Sequence, residues 1–268
     1  MTEPAATALP VRPTGTTFWH EYVDCRHGQL HLTQLRADRG RAEGRPLVLM
    51  STRSRSLRGL LPELDFKREV VIADIPGTGG SSPVHEGAQM EDVAASLVDL
   101  LDARGWDSAD FFGFHTGSKV VTALAARWPD RVTKLVVAGK THSLVVDKDA
   151  RVSAMQTYLA KKWPDVAIVG LEGRFLDDGG AADVGRSRMF ATNFVFGFTE
   201  ALETVEAETL VLEVTSPAED ELYGRQGRLL AERMPHAKVV EIPQIDPTGL
   251  TMYVGHAQMA DELRRFFG

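Results

Sequence analysis

Cysteine is all but missing. The 268 residues carry one, Cys25, so no internal disulfide forms and no cysteine-rich metal centre can be built. An incidental thiol is the reading it supports. A basic excess is missing too: 30 Lys and Arg stand against 37 Asp and Glu, a net charge of −7. That excludes the concentrated positive field that a nucleic-acid partner requires. The one basic cluster, Arg53, Arg55 and Arg58 in "STRSRSLRG", is too short to supply it. No uninterrupted apolar run approaches the roughly 18 residues of a membrane span. The N-terminal "MTEPAATALPVRPTGTT" lacks the apolar core of a secretion signal. A cytoplasmic protein without membrane or nucleic-acid partners is the expectation. No set of His, Asp and Glu has metal-ligand spacing, and no glycine-rich dinucleotide fingerprint occurs. Neither a metal nor another cofactor is therefore expected.

What is present is an alternation. Residues 1–17 read as a loosely held arm and residues 18–268 as one domain. "EYVDCRHGQLHLTQLRA" reads as two strands turning at His27-Gly28. "PLVLM" (46–50) and "REVVIADIPG" (68–77) are apolar runs of the kind buried on both faces of a sheet. "MEDVAASLVDLLDARGW" (90–106) places Val93, Leu97, Leu100 and Leu101 on one helical face closed by Gly105. Then come the strand "SADFFGF" (108–114), the helix "SKVVTALAARW", and the strands "VTKLVVAG" (132–139) and "ETLVLEVTS" (208–216). The helix "YGRQGRLLAERM", the strand "AKVVEIP" (237–243) and the helix "HAQMADELRRFF" close the chain. Strands alternating with helices in this way predict an α/β fold, a mostly parallel sheet wrapped by helices through right-handed crossovers.

One segment breaks the rhythm. Residues 143–206 show helix-like pieces and no clear strand. An insertion there would sit over the carboxyl edge of the sheet, where open α/β folds bind ligands. Met155, Tyr158, Leu159, Trp163, Phe190, Phe194 and Phe196 suit either a lid over a pocket or plain packing onto the sheet.

Three stretches resemble the α/β-hydrolase fold superfamily. "ADIPGTGGSS" (73–82) is similar to its turn after a central strand. "FFGFHTGSKVVTALAARWPDRVTKLVVAG" is similar to its nucleophile elbow, following helix and next strand, and "ETLVLEVTSPAED…LLAERMPHAKVVEIP…MADELRRFF" to its closing segment. The resemblance implies an elbow whose tip is His115, between Gly113 and Gly117, where the family carries its nucleophile. It implies an oxyanion hole from the N–H of Thr116 and a residue near Ser51 or Thr52, although the usual His-Gly there reads "MSTRS". The acid maps onto Asp220, with Glu219 as the alternative. The family's catalytic histidine maps onto Gly249, and no histidine lies between Ile242 and Gly255. His256 and Asp246 are the residues left to replace it.

A serine at the tip would need a base beside it, whereas a neutral imidazole is itself base or nucleophile near pH 7. His115 is thus the leading catalytic candidate. His142 and Lys140, beyond the strand that follows the elbow helix, line the same crevice or form the lid hinge. Arg53 and Arg55 are placed to hold a carboxylate or phenolate, or are solvated loop charges. His31 reads as a hydrogen-bonded core histidine and Asp74 as a structural carboxylate in its turn. The expected function is hydrolysis of an ester, lactone or C–C bond in a small molecule. A cofactor-free lyase, cyclase or oxygenase-like enzyme with His115 as base is one alternative, and a non-catalytic binding protein the other. Oligomeric state stays open between monomer and homodimer.

Overall fold

The apolar runs that alternate with helical patterns become the strands of one sheet. The computed structural model describes residues 17–36, 43–52, 57–139, 147, 149–150, 153, 168–169, 174–175, 188–189, 192–193, 196–215, 220, 224–243 and 256–268. The strands are β1 (Thr17–Cys25), β2 (Gly28–Arg36), β3 (Leu47–Ser51), β4 (Val70–Asp74), β5 (Ala109–Phe114) and β6 (Val132–Gly139). A two-stranded ladder, β7 (Ile168–Val169) and β8 (Arg174–Phe175), follows, and then β9 (Glu208–Thr215) and β10 (Ala237–Pro243). The eight-stranded sheet has the order β1-β2-β4-β3-β5-β6-β9-β10. Only the pairings of β2 with β1 and β4 are antiparallel; the rest are parallel.

Side-chain alternation divides the core into two layers. From the central strands Val48, Met50, Phe111, Leu135, Val137 and Val211 join one cluster. Leu47, Leu49, Phe112, Phe114, Val136 and Leu212 join the other. The first cluster is covered by α2 (Met90–Arg104), α3 (Thr116–Arg127), α4 (Phe198–Glu203) and α5 (Gly227–Arg233). The second is covered by the helical turn α1 (Leu61–Leu64) and by α6 (His256–Phe267). A sheet buried on both faces needs apolar residues at every strand position. β3 and β5 are buried throughout their length and apolar at most positions, Ser51 and Asp110 being buried polar exceptions.

Several boundaries differ from the sequence expectation. Thr17, assigned to the arm, opens β1. The strands β7 and β8 and the helix α4 lie within 143–206, where no strand was expected. Two-residue strands are too short to carry a period of two. Of the residues expected to form a lid, Phe196 is described and packs in the first core cluster, while Met155, Tyr158, Leu159, Trp163, Phe190 and Phe194, like residues 1–16 of the arm, lie outside the described residues.

Candidate active site

The reversal from β5 to α3 is made by a single residue. Phe114 ends the strand, Thr116 opens the helix, and His115 between them has φ 57° and ψ −120°. Among the described residues only Asp65 shares a positive φ without being glycine. Such a conformation costs about 1–3 kcal/mol. What holds it is backbone. The N–H of His115 donates to the Ala138 carbonyl at 2.7 Å, and its carbonyl accepts from Ser118 N–H at 2.9 Å. The Ser118 hydroxyl lies 2.9 Å from the Gly113 carbonyl and 2.7 Å from that of Ala138, and accepts from Ala138 N–H at 3.1 Å. At about 0.5–1.5 kcal/mol net per bond, these bonds together suffice to offset the strain.

The flanking glycines are needed for closeness. A Cβ on Gly113 would stand 2.5 Å from the Gly117 carbonyl oxygen, and one on Gly117 would collide with the Met50 carbonyl. The first turn of α3 therefore lies directly against the Met50–Ser51 peptide at the end of β3. β3 and β5 are neighbours in register there, Met50 opposite Gly113. The structure thus brings His115, Thr116 and Ser51 together. Ser51 and Thr116 are buried, Thr52 is half-buried, and so is His115.

The His115 ring has a partner beside it. Nδ1 lies 3.2 Å from the Thr116 hydroxyl, which can donate to the ring or accept from it. When Nδ1–H donates, Nε2 carries the lone pair and is the basic nitrogen. When the hydroxyl donates, Nε2 carries the proton and is an acid. The N-terminus of α3 carries the positive end of the helix dipole, although the Ser118 N–H is already bonded to the His115 carbonyl.

Asp220 follows β9, two strands along the sheet from β5. Its Oδ2 accepts from Arg225 Nε at 2.8 Å, and Arg225 Nη1 donates to Glu241 at 2.5 Å. These bonds, to Glu241 first, hold the guanidinium above its usual range. The other carboxylate oxygen, Oδ1, is buried with no hydrogen-bond partner among the described residues. His256 opens α6, and its ring packs so closely on Gly59 that a Cβ there would overlap it. Arg53, Arg55, Lys140, His142, Glu219, Asp246 and Gly249 lie outside the described residues.

Sequence reasoning missed several groups that shape this end of the sheet. Ser118 ties the elbow to β6, and Gly139 lets β6 pass His115, since a Cβ there would sit 2.7 Å from the His115 nitrogen. Lys119 is only 1% exposed, and its ammonium donates to the Asn193 carbonyl at 3.1 Å. One signal was legible: a lysine directly before the largely apolar "VVTALAA" must find a partner when buried.

Comparison with known proteins places these features in context. Residues 49–216 match the alpha/beta hydrolase fold family. The chain is similar to 2-hydroxy-6-oxo-2,4-heptadienoate hydrolase from Pseudomonas putida, 33% identical over 105 residues, covering 36% of this chain and 37% of the relative. The chain thus spans about a third of the length of the curated relatives it matches. Among solved structures, E-2-(acetamidomethylene)succinate hydrolase superimposes with a TM-score of 0.61 at 17% identity, covering 94% of this chain and 99% of that one. The enol-lactonase from Burkholderia xenovorans does so with a TM-score of 0.59 at 19% identity, covering 91% and 97%.

Proposed function

The chain belongs to the alpha/beta hydrolase fold family, and from that premise we propose an enzyme that hydrolyses an ester, lactone or C–C bond in a small organic molecule. The observation that carries the reading is His115 at the tip of the strained elbow, with Nδ1 beside the Thr116 hydroxyl. In this reading Thr116 accepts from Nδ1–H, and Nε2 takes a proton from the water that adds to the substrate carbonyl. The carbonyl electrons move onto oxygen, which the Thr116 N–H and the backbone at Ser51 or Thr52 receive. The imidazolium then returns the proton to the departing oxygen or carbon. The half-paired Asp220 carboxylate supports its assignment as the site's acid. This reading keeps the expected lid for the part of 143–206 that precedes the core-packed Phe196 and α4, and keeps Lys140, His142 and Arg53 as the residues assigned to its margin. The names 2-hydroxy-6-oxo-2,4-heptadienoate hydrolase and enol-lactonase support an oxo-acid or lactone substrate.

A second reading is favoured by one fact: neither a serine at the tip nor a histidine at Gly249 is present. A cofactor-free lyase, cyclase or oxygenase-like enzyme needs only the base and the anion-receiving N–H groups. A binding protein needs neither.

The test is turnover of a panel of esters, lactones and diketones by the wild type, His115→Ala and His115→Ser. His115→Ala should lower turnover about 10²–10⁴-fold while retaining the wild-type circular dichroism spectrum. Wild-type activity should fall on acidification, because an imidazole that has taken a proton no longer accepts one from water. His115→Ser should not recover it, and a fluorophosphonate probe should label no hydroxyl. Undiminished turnover in His115→Ala removes the catalytic role. Ligand binding without turnover across the panel favours the binding protein.

A further inference from the structure

A second histidine system lies at the same edge of the sheet, outside the elbow. Asp74 ends β4 and is 2% exposed. Its Oδ2 accepts from His31 Nδ1 at 2.7 Å and from Gly80 N–H at 3.0 Å. Nε2 of His31 then meets Nδ1 of His20, on β1, at 3.1 Å, with the two rings stacked 5.2 Å apart. The Thr33 hydroxyl is 3.2 Å from the same Nδ1 of His20. The chain runs from a buried carboxylate through a buried imidazole to an exposed one.

The proton count in this chain is restricted by geometry. The bond to Asp74 requires a proton on His31 Nδ1. The bond between the rings requires one proton, and only one, between His31 Nε2 and His20 Nδ1. The pair can therefore be neutral or singly protonated with every bond intact. A second added proton points two N–H groups at each other across 3.1 Å, and that bond is lost.

We propose that His20, His31 and Asp74 form a proton-operated latch that fastens the β1–β2 hairpin to the turn after β4, closed at neutral pH and opened by the second proton. The groups facing His20 agree with this. From β2 come His31 and the neutral Thr33, from β4 the carboxylate of Asp74, and from the turn before α1 the guanidinium of Arg58. Tyr22, on the same strand, packs its ring on His31 at 5.2 Å. Burial lowers the affinity of His20 for a proton, as do Arg58 and His31 in turn, against Asp74. The side-chain Nε of Arg58 is buried with no hydrogen-bond partner among the described residues. Charge appearing on His20 is thus felt by Arg58, six residues after Thr52. The latch thus couples acidity to the charge of Arg58 in the turn before α1, whatever reaction occurs at His115.

The sign follows from linkage. A histidine that binds its proton less readily when folded makes the unfolded state the better proton acceptor, so stability is lost as pH falls from about 6.5 through the lowered value. The experiment uses the full chain as wild type, His20→Phe, which keeps the stacked ring, and Arg58→Gln. Imidazole ¹⁵N spectra between pH 8 and 5 should show His20 titrating below the ordinary imidazole value of about 6.5. Arg58→Gln should move that midpoint upward. Urea unfolding should give a steeper loss of stability below about pH 6.5 in wild type than in His20→Phe, by at most tenfold in the unfolding constant per pH unit, the limit for one proton. Parallel stability curves for wild type and His20→Phe would overturn the latch. A His20 midpoint unmoved by Arg58→Gln would overturn its coupling to Arg58.

Discussion

Two histidines stand at one edge of the sheet and are held in opposite ways. His31 has ordinary strand backbone, a buried ring, and hydrogen-bond partners on both ring nitrogens, Asp74 and His20. His115 has a backbone conformation that side chains avoid, and its ring is half-buried beside one hydroxyl. At His31 the stabilisation comes from the side chain and the backbone is relaxed. At His115 the backbone network holds a strained residue whose ring adds little to that network. Backbone strain sustained by neighbours clusters at functional positions in proteins generally. A saturated ring marks a structural one, which in this chain can also sense protons.

The comparison is open to direct attack. Asp74→Asn should lower stability by about 1.5–3 kcal/mol, because a charge-assisted bond to a buried imidazole is lost; urea unfolding at pH 7.5 measures it. A loss below about 0.5 kcal/mol would mean that the carboxylate is not what secures His31. Gly117→Ala should cost about 1–3 kcal/mol through forced displacement of the Met50 peptide, read as a lower melting temperature. His115→Gly should be the mildest of the three, and of opposite sign. Relieving the positive φ should leave it about 1 kcal/mol more stable than His115→Ala. If the two variants melt together, the elbow is not strained.

Much of the scaffold was legible because period and burial coincide. β6 and β10 match the apolar runs read from 132–139 and 237–243, and Gly105 closes α2 in the left-handed conformation. Single turns such as α1 and two-residue strands such as β7 carry no period, so nothing in the sequence announced them. At the site, the glycine spacing placed His115 on the elbow. The His20–His31–Asp74 chain was visible only in parts, as a core histidine and a turn carboxylate. His20 could not be added, because its place opposite Thr33 depends on strand register. The contact between Lys119 and Asn193 joins positions 74 apart and was hidden for the same reason.

The hydroxyl of Ser118 bears on how freely the tip of the elbow can be exchanged. It rests among the Gly113 carbonyl and both main-chain groups of Ala138, while His115 is fastened through its own N–H and carbonyl. None of these bonds involves the side chain at position 115. These supports and the identity of the tip residue are therefore separable: a different side chain at position 115 leaves each of these bonds available, and the strand-to-helix reversal keeps its fastening.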